Sequence, residues 1–219
     1  MIRFCCFVLF LGLSHSVLLW GCATDLAPGQ EQVAADGGQN GPPLNTKFIE
    51  GPKVTKKEVE KGVTEVVINS TDDKVWVYFS FSKGDKVEPK DAKNTKDWDI
   101  AFQRYKIASN SGISGSGGAQ VAMIDKKDLK EVTAAPKEGY VEDKEDSKDE
   151  DEDPDLAFLV QGNWYQYNFT EHTLKARKRV YVVKTPAGEY YKVQFLKYYD
   201  GKGNSGFPTF HWSKLEPPK

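Results

Sequence analysis

Apolar and polar residues alternate with a period of two along much of this chain, and Gly, Pro, Asn and Asp cut the alternation at short intervals. Trp98, Ile100 and Phe102 alternate with Asp99, Ala101 and Gln103, which predicts a strand over 98–107 with the three large residues facing a core. The segments 63–68, 74–81, 121–124, 157–160, 163–168, 178–184, 190–199 and 207–212 read as further strands, rich in β-branched and aromatic residues. Turn chemistry separates them, as in Thr185-Pro186-Ala187-Gly188 and Asp200-Gly201-Lys202-Gly203-Asn204. Only 55–61 and 126–131 carry a weak helical pattern, and both are short. Many short strands with almost no helical periodicity predict a single antiparallel all-β domain.

The N-terminus does not fit this pattern. Arg3 is followed by a mostly apolar run from Phe4 to Trp20, then by Gly21 and Cys22. A short basic region, an apolar region and a small residue at the cut site mark 1–21 as a signal peptide. Leu19-Trp20-Gly21-Cys22 resembles a bacterial lipobox, in which the cysteine is acylated and becomes the new N-terminus. Cys5 and Cys6 leave with the signal, so Cys22 is the only cysteine of the mature chain, and a lipid accounts for its lack of a disulfide partner. Several acyl chains give stable anchoring where one is reversible. Residues 22–52 are rich in Gly, Pro, Gln and Asp without apolar periodicity, and read as a lipidated flexible tether. Residues 53–219 then form the β domain, a length that supports one sizeable core.

Charge narrows the function classes. The full chain carries 30 basic and 32 acidic residues and a net charge of −2, so it is not a nucleic-acid binder on charge grounds. Ten acidic residues and two lysines lie in Glu142–Asp155. These acids are consecutive, with no turn glycine at calcium-loop spacing, and read as a solvated mobile loop. Basic Lys175–Arg179 suits either a charged strand edge or a site for anionic groups such as propionates or phosphates.

Candidate chemistry is sparse. The glycine segment Asn110–Gly118 has no Lys-Ser/Thr ending, no G-x-G-x-x-G spacing and no following helix, which excludes a phosphate loop. It also lacks G-x-S-x-G, and tight turns in a β-fold remain as its reading. Only His172 and His211 lie beyond the signal, so neither a catalytic triad nor a zinc cluster is indicated, and the chain is not expected to be an enzyme. Haem needs only one or two axial ligands and an apolar, aromatic-lined pocket. The twelve Phe, ten Tyr and five Trp supply the second requirement, although aromatics in strands also build ordinary cores. His172 is the better candidate for the iron, and Met123, the only methionine besides Met1, offers a thioether.

Three segments together, Asp97–Ala122, Arg179–Tyr199 and Gly206–Trp212, resemble the HmuY family of exported haem-binding lipoproteins of Gram-negative bacteria. The most specific parts are Trp98-Asp99-Ile100-Ala101-Phe102, the turn segment 110–118 and Tyr190-Tyr191-Lys192. The resemblance covers about 63–212. It implies an all-β fold, haem as cofactor, haem or a haemoprotein and an outer-membrane haem receptor as partners, and a lipid-anchored location at the outer membrane or cell surface. Some relatives carry a His just before the Arg that follows W-D-x-A-F; here Gln103 precedes Arg104. A cofactor-free surface lipoprotein of the same fold is the alternative.

Overall fold

The computed structural model describes residues 48–125, 127–147 and 153–219. The signal peptide, Cys22 and the tether up to residue 47 lie outside the described residues. Among the described residues, Ile49 already hydrogen-bonds to the domain. The Ile49 N–H donates to Thr71 Oγ1 at 2.9 Å, and Asn69 Nδ2 donates to the Ile49 carbonyl at 2.9 Å.

Among the described residues, twelve strands form three antiparallel sheets: β1 (Val54–Glu60), β2 (Val63–Ile68), β3 (Val77–Ser80), β4 (Asp85–Val87), β5 (Ile100–Gln103), β6 (Lys106–Ser109), β7 (Gln120–Asp125), β8 (Tyr165–Asn168), β9 (Thr173–Ala176), β10 (Arg179–Lys184), β11 (Tyr190–Tyr199) and β12 (Ser205–Leu215). The large sheet runs β1-β2-β12-β11-β10-β7, a second sheet runs β4-β3-β5-β6, and β8 pairs with β9 alone. The all-β expectation holds: among the described residues, α1 (Ala157–Val160) is a single turn and the other helices are two short 3-10 turns.

The two larger sheets face each other across an aromatic core. Phe79 and Phe102 of the second sheet meet Phe210 of β12 at ring centroid distances of 5.8 and 5.6 Å, and Phe81 stacks on Tyr191 at 4.9 Å. Edge and stacked pairs of this kind contribute about 0.5–1.5 kcal/mol each beyond area burial. Strand alternation dictates which residues enter. Tyr191, Val193 and Phe195 of β11 point to the core, and beyond an irregular register at Phe195/Lys197 the inward parity changes to Tyr198. An extra residue in one strand has this effect.

The large sheet is buried on its other face too. Leu129, Val132, Ala135 and Tyr140 from the segment after β7 pack on Val180, Val182, Ile124 and Leu215. This double burial explains why Val180–Val183 form an unbroken buried run.

Local expectations changed at four places. The weak helix at 55–61 is the strand β1, held by antiparallel pairing to β2. The strand at 157–160 is the helical turn α1. The strand at 98–107 is the hairpin β5–β6, turning at Arg104, whose φ is +53°. Ile100 and Phe102 face the core as expected. Trp98 instead joins Ala101, Ala108 and Leu156 on the outer face of the second sheet, edge-on to Tyr78 at 5.0 Å.

The acidic segment also departs from its expectation at its start. Asp143 is buried, and its carboxylate accepts from Ser109 N, Ser109 Oγ and Ala157 N at 2.8–2.9 Å. Asp155 N-terminal to α1 receives the Lys144 N–H at 3.0 Å, and Lys106 pairs with Asp153 at 2.7 Å. Residues 148–152 lie outside the described residues.

The glycine segment is a turn system built around one side chain. Asn110 is fully buried; its Nδ2 donates to the carbonyls of Thr95 and Trp98 at 2.9 and 2.8 Å, and its Oδ1 accepts the Gly117 N–H at 3.0 Å. A Cβ at Gly115 or Gly117 would overlap the Asn110 amide, and one at Gly112 would overlap the Asp143 carbonyl.

Candidate functional site: the β8–β9 hairpin

β8 and β9 pair Tyr165 with Ala176 and Tyr167 with Leu174, so these four residues share one face. Leu174 is buried in the main core, with Tyr165, Tyr167 and Ala176 packed against it. The Leu174 N–H donates to the Tyr199 hydroxyl at 2.9 Å, tying the hairpin to β11. Gln166, Asn168, Thr173 and Lys175 alternate onto the other face.

The four-residue turn Phe169–His172 closes the hairpin. Asn168 Oδ1 accepts the N–H groups of Thr170 and Glu171 at 2.9 and 3.2 Å, a side-chain substitute for backbone turn bonding. His172 follows at φ +52°, the left-handed region that histidine enters more readily than most residues. Its Nδ1 lies 2.7 Å from the Tyr167 hydroxyl. Phe169 is 76% exposed and meets the Tyr167 ring edge-on at 4.7 Å. One imidazole and two aromatic rings thus stand together on an exposed turn.

The other sequence candidates lie in different surroundings. Met123 sits on β7 opposite Tyr181, partly buried against the central core, and among the described residues no contact links it to His172. His211 lies on β12, paired with Glu65 of β2, and its Nε2 is 3.1 Å from the Glu65 carboxylate. The Lys57 ammonium, then His211, hold the Glu65 carboxyl below its usual range against the opposing effect of burial. That pair satisfies His211 as a cross-strand contact. Gln103 pairs with Lys106 at the end of the β5–β6 hairpin. Its neighbour Arg104 is buried and structural: Nη1 donates to the Thr71 carbonyl at 3.0 Å and Nη2 to Ser205 Oγ at 2.8 Å.

The basic run divides. Lys178 pairs with Asp128 at 3.1 Å. Arg179 pairs with Asp125 at 3.0 Å and also donates to the carbonyls of Gly162 and Asn163 at 2.6 and 3.0 Å. Lys175 and Arg177 remain exposed beside the hairpin, with Arg177 Nε on the Tyr165 carbonyl at 2.8 Å.

A polar cleft of about 150 Å³ lies elsewhere, lined by Ser80, Ser82, Lys83, Lys96, Asp99 and Glu189 among others. Its volume and polarity do not suit a large apolar cofactor, whose pockets run to roughly 300–1,000 Å³. Among the described residues, no three His, Cys, Asp or Glu side chains gather as a metal site. Sequence reasoning named His172 but missed Tyr167, Asn168 and Phe169. The spacing Tyr-Asn-Phe-Thr-Glu-His, with an Asn able to cap the amides two and three residues on, was the available signal.

The fold is thus that of a two-sheet antiparallel β protein with an aromatic interior and an appended aromatic-histidine hairpin. The family model described as HmuY protein matches residues 72–212, and the chain belongs to the HmuY family. Three solved structures share the fold. One is a protein of Bacteroides vulgatus designated HmuY-like and heme binding, with 22% identity and a TM-score of 0.51, covering 74% of this chain and 96% of that one. Another is the apo form of a HmuY analog of Tannerella forsythia, with 18% identity and a TM-score of 0.53, covering 77% and 98%. A protein of Bacteroides fragilis designated a lipoprotein has 16% identity and a TM-score of 0.53, covering 74% and 95%. No curated protein sequence matches the chain.

Proposed function

We propose that this protein is an exported lipoprotein, acylated at Cys22, that binds haem at the β8–β9 hairpin and passes it to an outer-membrane haem receptor. Membership of the HmuY family and the likeness to a HmuY-like heme-binding protein support the haem class. The lipobox around Cys22 supports a lipid-anchored place at the outer membrane or cell surface of a Gram-negative bacterium. No catalytic step is proposed.

The observation that carries the reading is the state of His172. Its Nδ1 is engaged by Tyr167, while Nε2 has no partner among the described residues and the side chain is exposed. An imidazole held through one nitrogen is suited to ligate iron through the other. Phe169 and Tyr167 supply apolar surface for a porphyrin face. These residues fit haem through one axial imidazole. Bound haem would supply the iron that accepts this nitrogen.

Haemin titration of the chain beginning at Ala23 tests the proposal. A Soret shift that disappears in His172→Ala is the expected result. An unshifted Soret band in both oxidised and reduced samples overturns it. The second reading, a cofactor-free surface lipoprotein, is favoured by one observation: His172 is the only imidazole on the hairpin, because His211 lies on β12 against Glu65. It predicts no haem response and a protein partner recoverable by crosslinking.

A further inference from the structure

The geometry of the β8–β9 hairpin points to Tyr167 as the positioning residue that holds the His172 ring and leaves its Nε2 as the metal-binding nitrogen. This inference rests on the haem reading above. A surface histidine ordinarily samples several rotamers, and each ordered rotamer costs entropy on binding. Three features restrict His172 before any ligand arrives. Asn168 fixes the turn backbone through the Thr170 and Glu171 amides. Tyr167 is rooted opposite buried Leu174 and braced by Phe169 at 4.7 Å. Its hydroxyl then lies 2.7 Å from His172 Nδ1.

The hydroxyl matters because it both donates and accepts. A neutral imidazole carries one ring proton. When the phenol donates, Nδ1 accepts and the proton sits on Nε2. When a metal takes the Nε2 lone pair, that ring proton must be on Nδ1 instead. Nδ1 then donates to the phenol oxygen, and the phenol O–H turns away to water. The proton count is unchanged and the Tyr167–His172 contact survives the change of tautomer. A side chain able only to accept or only to donate would have to break the contact in one of the two states.

Tyr167→Phe removes only the hydroxyl. In the metal-free protein, long-range proton–nitrogen spectra are expected to show the His172 Nδ1 resonance displaced in Y167F, with the His211 resonances unmoved as the internal control. Haemin affinity is expected to fall about tenfold, in line with the loss of an outer partner of a ligating histidine. The double variant Y167F/H172A is expected to bind no worse than H172A, because the two residues act through one contact. Unchanged His172 nitrogen resonances in Y167F overturn the inference, as does equal haemin affinity of the parent and Y167F. A parent protein with no Soret shift removes the haem reading. The metal-free resonances then decide by themselves whether Tyr167 holds the ring.

Discussion

The carboxylate of Asp99 accepts the backbone N–H of Phe81 at 2.7 Å, joining the strand entry before β5 to the end of β3 inside the structure. Asp99 is only 6% exposed, and loss of hydration pushes its carboxyl up to about 6 despite that hydrogen bond and one from Ser80. Lys83, Lys96, Asp97 and Glu189 line the same cleft, and the Glu189 charge adds to the upward shift.

This shift has a definite sign in stability. The folded state holds the Asp99 proton more tightly than the unfolded chain, whose value is near 3.9. Its contribution is therefore unfavourable at neutral pH and is relieved as pH falls through about 6. Between pH 7.5 and 5 the parent is expected to gain about 1 kcal/mol relative to Asp99→Asn. Urea unfolding of both proteins at the two pH values measures this. An unchanged difference between them would show that Asp99 titrates normally.

The Asp143 carboxylate should matter more than any exposed acid in its segment. It closes the amides of Ser109 and Ala157 and the Ser109 hydroxyl, so it fastens β6, α1 and the acidic segment at one point. Truncation leaves buried donors unpaired, each costing about 1–3 kcal/mol. Asp143→Ala is expected to destabilise the domain by roughly 2–4 kcal/mol, whereas Glu145→Ala, at an exposed position, should lie within about 0.5 kcal/mol of the parent. Thermal unfolding of the two variants distinguishes them, and equal melting temperatures would contradict the anchoring role.

How much of this was legible depends on whether a feature is local. The period of two and the turn residues revealed most strands, and 190–199 coincides with β11. β1 misled because Val-Thr-Lys-Lys-Glu-Val-Glu mixes helix formers with β-branched residues, and only pairing with β2 decides between them. The helical turn at 157–160 depends on a distant residue, since Asp143 accepts the Ala157 N–H. Trp98 was misassigned because alternation was read back past the start of β5, where the chain no longer follows the pleat. At the site, His172 was visible as a scarce residue type. Its partnership with Tyr167 was not, because the hairpin register sets it.

The glycine segment yields a sharper test, because its glycines differ in their reasons. Gly115 fails sterically, against the Asn110 amide. Gly118 has φ +76° but open space around the position of a Cβ. Gly115→Ala is therefore expected to cost several kcal/mol through overpacking, and Gly118→Ala about 1 kcal/mol through backbone strain alone. Chemical denaturation of the two variants gives the order. Gly118→Ala proving the more damaging would mean that conformation, not the fit around Asn110, selects the glycines.

Met123 provides the last discrimination, since a thioether within reach of iron and a thioether in a core behave differently on substitution. The side chain packs partly buried against the central core on β7, across from Tyr181 of β10. Leucine nearly conserves its volume, and such exchanges usually cost less than about 1.5 kcal/mol. Met123→Leu is therefore expected to leave the haemin spectrum and affinity as in the parent, in both oxidation states, while His172→Ala abolishes the Soret shift. Absorption spectra of the two variants, recorded before and after reduction, check this directly. A change confined to the reduced spectrum of Met123→Leu would instead make the sulfur an axial ligand, because a thioether favours ferrous iron. β7 would then have to deliver Met123 out of its packing and towards the hairpin on binding.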